Sequence, residues 1–196
     1  AQDIIEGEPI AYDVGKFGDR FFSYVASFGA FTKSSYTTPQ NIKNALGHTA
    51  YVLSGISELS QIRNEHVRME IDGEVIEDNF LFGAICNSTS VGGILTLPPE
   101  QVDMGDGIFE VMLIRRPKNI IELNEIIASL VGTSDTKMIE VFKTSTLGVQ
   151  CEEEVPWTLD GEYGGEHREV QIQNLKHAVQ IMLPKNEAVP LIHTPE

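Results

Sequence analysis

Residues 157–165 read W-T-L-D-G-E-Y-G-G, an apolar run that delivers two carboxylates and ends in a glycine pair with turn chemistry. The carboxylates, Asp160 and Glu162, are separated only by Gly161. If the strand continues through this glycine, both side chains point to the same face, because side chains alternate with a period of two. Two acids held so close do not both ionise freely, so one becomes a candidate proton acceptor near neutral pH. The alternative is a hairpin end with solvated acids.

The period-two pattern recurs along much of the chain. It is clearest at 67–71, where apolar and charged residues alternate until Asp72 and Gly73 supply a tight hairpin turn. A second turn is predicted at 15–19. The remaining predicted strands cover residues 10–14, 21–28, 80–86, 108–114, 138–142, 147–151, 155–159, 170–175 and 178–183.

Two segments have helical spacing instead. The first spans 38–59 and begins with Thr38 as N-cap and Pro39 at the first helical position; the second spans 120–131. About ten short strands and two helical regions predict a mostly β protein, an antiparallel β-sandwich with two peripheral helical regions. No linker or repeat is visible, so residues 1–196 are predicted to form a single domain.

Composition narrows the functional classes. A net charge of −15 argues against nucleic acid as a partner. No signal peptide and no apolar run near 18 residues is present in the sequence. Cys86 and Cys151 have no metal-ligand spacing, so we expect reduced thiols in a cytosolic protein. The histidines also lack the spacing of a zinc site.

A second group of polar residues precedes the predicted strand at 108–114. Residues 103–108 read D-M-G-D-G-I, and the alternation of acid and glycine allows oxygen ligands to converge on one hard cation such as Mg²⁺ or Ca²⁺. The alternative is a solvated turn that leads into the strand.

Four motifs come in the order and spacing of one family. They are A-S-F-G-A-F at 26–31, L-G-H-T-A-Y-V-L-S-G at 46–55, M-G-D-G-I-F-E-V at 104–111 and L-D-G-E-Y-G-G at 159–165. Together they resemble the C-terminal domain of the bacterial diacylglycerol kinase family, lipid kinases related to sphingosine kinases and more distantly to NAD kinases. The resemblance runs over nearly all 196 residues.

The resemblance implies the C-terminal β-sandwich half of a two-domain lipid kinase. ATP, the co-substrate, is then held mainly by an N-terminal domain with a Gly-Gly-Asp-Gly-Thr motif that this sequence lacks, so we expect the chain to be an excised half, inactive alone. By resemblance Glu162 is the general base and Asp160 its partner. The resemblance maps a Mg²⁺ site to the carboxylate of Asp106 and the carbonyls of Asp103 and Ile108.

The implied substrate is diacylglycerol or a similar membrane lipid alcohol. The implied partners are the N-terminal domain of the same polypeptide, the membrane surface and, as an option, a second copy in a homodimer. The implied location is the cytoplasm, at the inner face of the bacterial membrane.

Two departures and two alternatives accompany the resemblance. Gly105 stands where the family usually has an acid, and Ile94 replaces the third glycine of its Asn-x-x-x-x-Gly-Gly-Gly loop. One alternative is a non-catalytic module that binds lipid or a partner. The other is a glycosidase with Asp160 and Glu162 as its acid pair, which is awkward because both acids lie on one strand. A preceding domain with the Gly-Gly-Asp-Gly-Thr motif would favour the kinase; a natural start at Ala1 would favour the module.

Overall fold

A computed structural model describes residues 7–30, 65–91, 95–96, 102–130 and 134–184 of the protein. Within these ranges one helix, α1, spans Ile120–Leu130, and the predicted helix at 38–59 lies outside them. The strands are β1 (Glu8–Phe17), β2 (Arg20–Phe22), β3 (Val25–Gly29), β4 (Glu65–Ile71), β5 (Glu74–Cys86), β6 (Ser90–Val91), β7 (Leu95–Thr96), β8 (Phe109–Arg115), β9 (Ile139–Thr144), β10 (Thr146–Leu159) and β11 (Glu162–Leu183).

Nine of these strands form one antiparallel sheet that folds over on itself. The order is β2-β1-β11-β10-β3-β5-β8-β9, and β4 pairs with both β10 and β5. Strand β10 pairs with β4 through 147–151 and with β3 through 157–159. Because β5 also pairs with both β3 and β4, the long strands β5 and β10 enclose the core between them. This is the predicted β-sandwich.

The main core is built around Trp157, which is 1% exposed. The ring centroids of Phe17 and Phe28 each lie 4.9 Å from that of Trp157. Trp157 is therefore a core anchor, as aromatic side chains of this size usually are. From β8, alternate residues face the same core, namely Phe109, Val111 and Leu113.

A second, smaller core contains side chains of β5 and β8 together with Ile126 of α1. Asn119 caps this helix, because its Oδ1 accepts hydrogen bonds from the amides of Ile121 (2.9 Å) and Glu122 (3.0 Å). Among the described residues, no helix combines the length and the apolar character needed to cross a bilayer.

Several predicted boundaries differ from the structure. The β4–β5 hairpin is confirmed, with its turn at Asp72 (φ 51°) and Gly73 (φ 85°). The turn predicted at 15–19 is wrong, because β1 continues to Phe17 and only residues 18–19 turn. The strand predicted at 21–28 is interrupted at 23–24.

In two places, a pair of strands predicted from the sequence is one continuous strand in the structure. Residues 147–151 and 155–159 both belong to β10, which is irregular between Gln150 and Val155. Residues 170–175 and 178–183 both belong to β11, which pairs with β1 from Glu8↔Leu183 to Phe17↔Ile172. Bulges bend these strands without ending their pairing.

Candidate functional site

The two acids of the Asp-Gly-Glu motif lie at the hairpin that joins β10 and β11. Strand β10 ends at Leu159 and β11 begins at Glu162, which pair across the turn. Asp160 (φ 52°) and Gly161 (φ 84°) form the turn, in the left-handed conformations that a two-residue hairpin requires. The strand therefore does not continue through Gly161, and the structure has the hairpin end that the sequence left open as the alternative, since an Asp-Gly pair adopts these conformations readily.

The Asp160 carboxylate fixes this turn to the corner between β2 and β3. Its Oδ2 accepts hydrogen bonds from the amide (2.8 Å) and hydroxyl (3.1 Å) of Ser23. Its Oδ1 accepts the amides of Tyr24 (2.8 Å) and Val25 (2.9 Å). The Asp160 amide donates to the Val25 carbonyl at 2.8 Å. These contacts explain the interruption at 23–24, because amides available for strand pairing are bonded to a side chain instead.

Glu162, in contrast, is exposed, and its side chain makes no hydrogen bond or ion pair with other described residues. A Cβ atom added to the adjacent Gly161 would meet no atom of the described part of the chain within 4 Å, so these residues leave open space beside the acid. The geometry thus presents one engaged carboxylate and one available carboxylate.

The glycine pair after Glu162 forms a bulge and not the turn predicted from the sequence. Trp157 pairs with Gly165 and Thr158 pairs with Tyr163, so Gly164 is an extra residue in β11. A Cβ at Gly164 would lie 3.0 Å from the Trp157 carbonyl oxygen, and Gly165 has a φ of 102°. Glycine is therefore the residue that fits at both positions of the bulge.

Tyr12 and Asn87 lie on the other side of the β2–β3 corner. The Tyr12 hydroxyl is 3.1 Å from the carbonyl oxygen of Ser23 and 3.3 Å from that of Asn87. The Asn87 amide donates to the Tyr24 carbonyl at 3.0 Å. Burial raises the pKa of Tyr12, and the carboxylate of Asp160 raises it further.

The predicted metal loop is held by hydrogen bonds within it. Asp103 Oδ1 accepts the Gly105 amide at 2.9 Å, and Asp106 Oδ1 accepts the Ile108 amide at 2.8 Å. Burial is the main cause that raises the pKa of Asp106, and the neighbouring carboxylates of Asp103 and Asp13 add to it. A cation beside Asp106 would offset this concentration of negative charge.

Asp13 and His177 clamp the same loop from the sheet. The fully buried Asp13 carboxylate accepts the amides of Gly107 (2.6 Å) and His177 (2.7 Å). The ring Nε2 of His177 lies 2.8 Å from the Gly105 carbonyl oxygen and donates to it. His177 has a φ of 55°, and three residues of β11 bulge out opposite Asp13.

The predicted donor set consists of one carboxylate and two backbone carbonyls, which are oxygen ligands of the kind that hard cations prefer. Among the described residues, no three side chains of His, Cys, Asp or Glu form a group that could hold a metal ion. The predicted set does not need such a group, because only Asp106 contributes a side chain and Asp103 and Ile108 contribute carbonyl oxygens. Mg²⁺ accepts this kind of oxygen coordination, completed by water.

The sequence reasoning missed three of the residues that join the two sites, namely Tyr12, Asp13 and His177, and it placed Asn87 at the start of the glycine loop without giving it this role. One signal was present, because Asp13 is a charged residue in the middle of a predicted strand, and such a residue is buried only with partners. His177 carried no signal of its role.

Other features of the surface lie apart from these sites. A cavity of about 310 Å³ is lined by the β4–β5 turn, the start of β10 and Gln171, and none of the predicted site residues lines it. Both cysteines are free thiols, as predicted.

Comparison with known proteins connects this geometry to a family. Residues 27–183 match the family model of the YegS C-terminal NAD kinase beta sandwich-like domain. A protein of Staphylococcus carnosus named diacylglycerol kinase is 31% identical over 185 residues, which are 93% of this chain and 60% of the relative. A Bacillus subtilis protein of the same name is 28% identical over 193 residues, 97% of this chain and 63% of the relative.

A solved structure shares the fold. The crystal structure of a diacylglycerol kinase from Bacillus anthracis matches 94% of this chain and 60% of its own chain with a TM-score of 0.64 at 19% identity. The chain thus spans about three fifths of the length of the relatives it matches. The resemblance inferred from the motifs is confirmed, because the two relatives carry the name diacylglycerol kinase. The chain belongs to the family of YegS C-terminal NAD kinase beta sandwich-like domains.

Proposed function

We propose that this chain is the catalytic, lipid-binding half of an ATP-dependent lipid kinase, with Glu162 as the general base. The substrate is the hydroxyl of diacylglycerol or of a similar membrane lipid alcohol. ATP is bound mainly by an N-terminal domain of the same polypeptide. The chain length, about three fifths of that of its relatives, leaves room for such a domain.

One observation carries the proposal. The motif separates its two acids by environment, because all four hydrogen bonds to the Asp160 carboxylate anchor the turn, whereas the Glu162 carboxylate has no hydrogen-bond or ion-pair partner among the described residues. A base must be both free to accept a proton and held in place. Asp160 holds Glu162 in place, because its hydrogen bonds fix the turn that precedes Glu162.

The proposed step transfers one phosphoryl group. Glu162 accepts the proton of the alcohol while the alcohol oxygen forms a bond to the γ-phosphorus of ATP. The bond from that phosphorus to the β–γ bridging oxygen breaks, and its electron pair leaves with ADP. A placed base contributes about 10²–10⁴-fold to such a reaction, and the rest comes from positioning and charge neutralisation.

The carboxylate of Asp106 and the carbonyls of Asp103 and Ile108 would hold the proposed Mg²⁺. A cation bound there would offset the negative charge of the loop. In this proposal the enzyme is cytoplasmic and works at the inner face of the membrane, with a homodimer as one assembly.

The alternatives differ in what they require of the two acids. A glycosidase needs two available carboxyl groups, and the four hydrogen bonds to Asp160 disfavour that role. A non-catalytic module that binds lipid or a partner needs neither acid and transfers no phosphate, so it is separated from the kinase by whether the wild-type polypeptide transfers phosphate.

The test is transfer of labelled phosphate from ATP to a lipid extract by the full-length polypeptide. Glu162→Gln should lower transfer by about 10²-fold or more. Glu166→Gln, an exposed glutamate on the same strand, is the matched control and should keep wild-type transfer. Undiminished transfer by the Glu162 variant would remove this residue from the mechanism. A wild-type polypeptide that transfers nothing would favour the binding module.

A further inference from the structure

Tyr12 lies on β1 between the catalytic turn and the 103–108 loop, and no motif marks it. Its hydroxyl hydrogen is shared between the carbonyl oxygens of Ser23 (3.1 Å) and Asn87 (3.3 Å). These carbonyls belong to the β2–β3 corner and to the end of β5. One hydroxyl therefore cross-links two segments that are 64 residues apart, counted from position 23 to position 87.

The corner is held from two sides. The Asp160 carboxylate binds its amides at Ser23, Tyr24 and Val25, and the Tyr12 hydroxyl binds its carbonyl at Ser23. Without the hydroxyl, the corner would keep its bonds to Asp160 and the bond from the Asn87 amide to the Tyr24 carbonyl, but it would lose the bond at the Ser23 carbonyl. The corner in turn orients the Asp160 carboxylate. The position of the β10–β11 turn, and with it the position of Glu162, depends on both contacts.

The same hydrogen-bond network reaches the 103–108 loop through Asp13, the residue after Tyr12. Asn87 Nδ2 donates to the Asp13 carbonyl at 3.1 Å, and the Asn87 amide donates to the Tyr24 carbonyl at 3.0 Å. The Asp13 amide donates to the Met104 carbonyl at 2.9 Å. Consecutive residues of β1 thus reach both predicted sites. Burial, followed by the charges of Asp160 and Asp13, raises the pKa of Tyr12, so its hydroxyl remains a donor at neutral pH.

We infer that Tyr12 is a positioning residue for the base Glu162. It acts through the corner at 23–25 and through Asp160, without contact with the substrate. This inference rests on the proposed function. It predicts that loss of the hydroxyl slows the chemical step and leaves nucleotide binding unchanged.

The experiment uses Tyr12→Phe in the full-length polypeptide, a change of one oxygen atom. Loss of one hydrogen bond should lower kcat about five- to tenfold and leave the KM for ATP within about twofold. Amide hydrogen exchange should become about five- to tenfold faster in a peptide covering 20–26 and stay unchanged in one covering 67–75. The second peptide reports the β4–β5 hairpin.

Thr146→Val is the matched control. It removes a hydroxyl that bonds a backbone carbonyl, that of Ile172 at 3.2 Å, at the opposite end of β10 from the turn. A kcat equal to that of the wild type is expected for this variant. If it lowers kcat as much as Tyr12→Phe does, the effect is general destabilisation and the inference is overturned.

The remaining outcomes are also decisive. A kcat of Tyr12→Phe within twofold of wild type overturns the inference, whatever the exchange rates are. A lower kcat without faster exchange at 20–26 overturns it too, because the effect then does not pass through the corner. If Glu162→Gln remains active, the proposed function fails; if that variant is inactive and Tyr12→Phe is normal, only the inference fails.

Discussion

The hydrogen bonds of Asp160 should make Asp160→Ala costly for stability, although the residue is exposed. The variant loses three backbone donors and one hydroxyl donor. Water can replace part of these contacts, so each amide contact is worth about 0.5–1 kcal/mol, or about 1.5–3 kcal/mol for three. Alanine at a φ of 52° adds roughly 1 kcal/mol. We therefore expect a loss of about 2.5–4 kcal/mol.

Asp72→Ala is the matched control for the cost of placing alanine at a positive φ. Asp72 has a φ of 51°, is followed by a glycine in the same way, and its carboxylate has no hydrogen-bond partner among the described residues. This variant should lose only the roughly 1 kcal/mol due to φ. The difference between the two variants isolates the carboxylate contacts.

Equilibrium unfolding in urea is the assay. Trp157, the single tryptophan, is buried three residues before Asp160 and reports the transition by fluorescence. With a denaturant slope of about 2 kcal/mol/M, Asp160→Ala should lower the midpoint by about 1.2–2 M and Asp72→Ala by about 0.5 M. Equal midpoints for the two variants would refute the anchoring role of the carboxylate.

Three further changes test other parts of the structure. Gly29→Ala should destabilise by more than about 2 kcal/mol and lower the melting temperature, because its φ is 86° and a Cβ would lie 2.4 Å from the Leu81 carbonyl oxygen; an unchanged melting temperature would contradict this packing. The pKa of Cys151 is raised to about 11 by burial, so its thiol is protonated at pH 8; a thiol reagent should react with the native protein about 10²-fold more slowly than with the unfolded protein, and the rate should rise with pH towards 11. Calorimetry with Mg²⁺ at about 100 times its Kd should show about 2.7 kcal/mol of stabilisation of the wild type that is absent in Asp106→Ala. Equal stabilisation of the wild type and the variant would show that Mg²⁺ binds at another place.

Local patterns predicted the parts of the fold that depend on neighbours in sequence. The alternation at 67–71 and the Asp72-Gly73 pair predicted the β4–β5 hairpin, and helical spacing predicted 120–131 where α1 spans Ile120–Leu130. The sandwich class followed from the number of such segments. The pairing order did not, because most contacts between strands join distant parts of the chain.

The candidate site shows the same limit. The motif identified Asp160 and Glu162, but the hydrogen bonds that distinguish Asp160 from Glu162 come from donors at Ser23 and beyond, 137 residues away in the sequence. The break in the strand at 23–24 has the same cause and leaves no local signal. Asp13 is the clearest example of a residue whose role the sequence did not predict. Its hydrogen-bond partners, the amides of Gly107 and His177, come from two other segments of the chain.

The pairing of Glu8 with Leu183 places the two ends of the sandwich side by side. A short peptide linker between these strand ends would close the backbone into a ring, and new termini could then be opened at Gly73, where the hairpin turn is exposed. Such a circular permutant keeps every strand pairing and loses only the covalent connection between β4 and β5 at that turn. We therefore expect it to fold to the same sandwich.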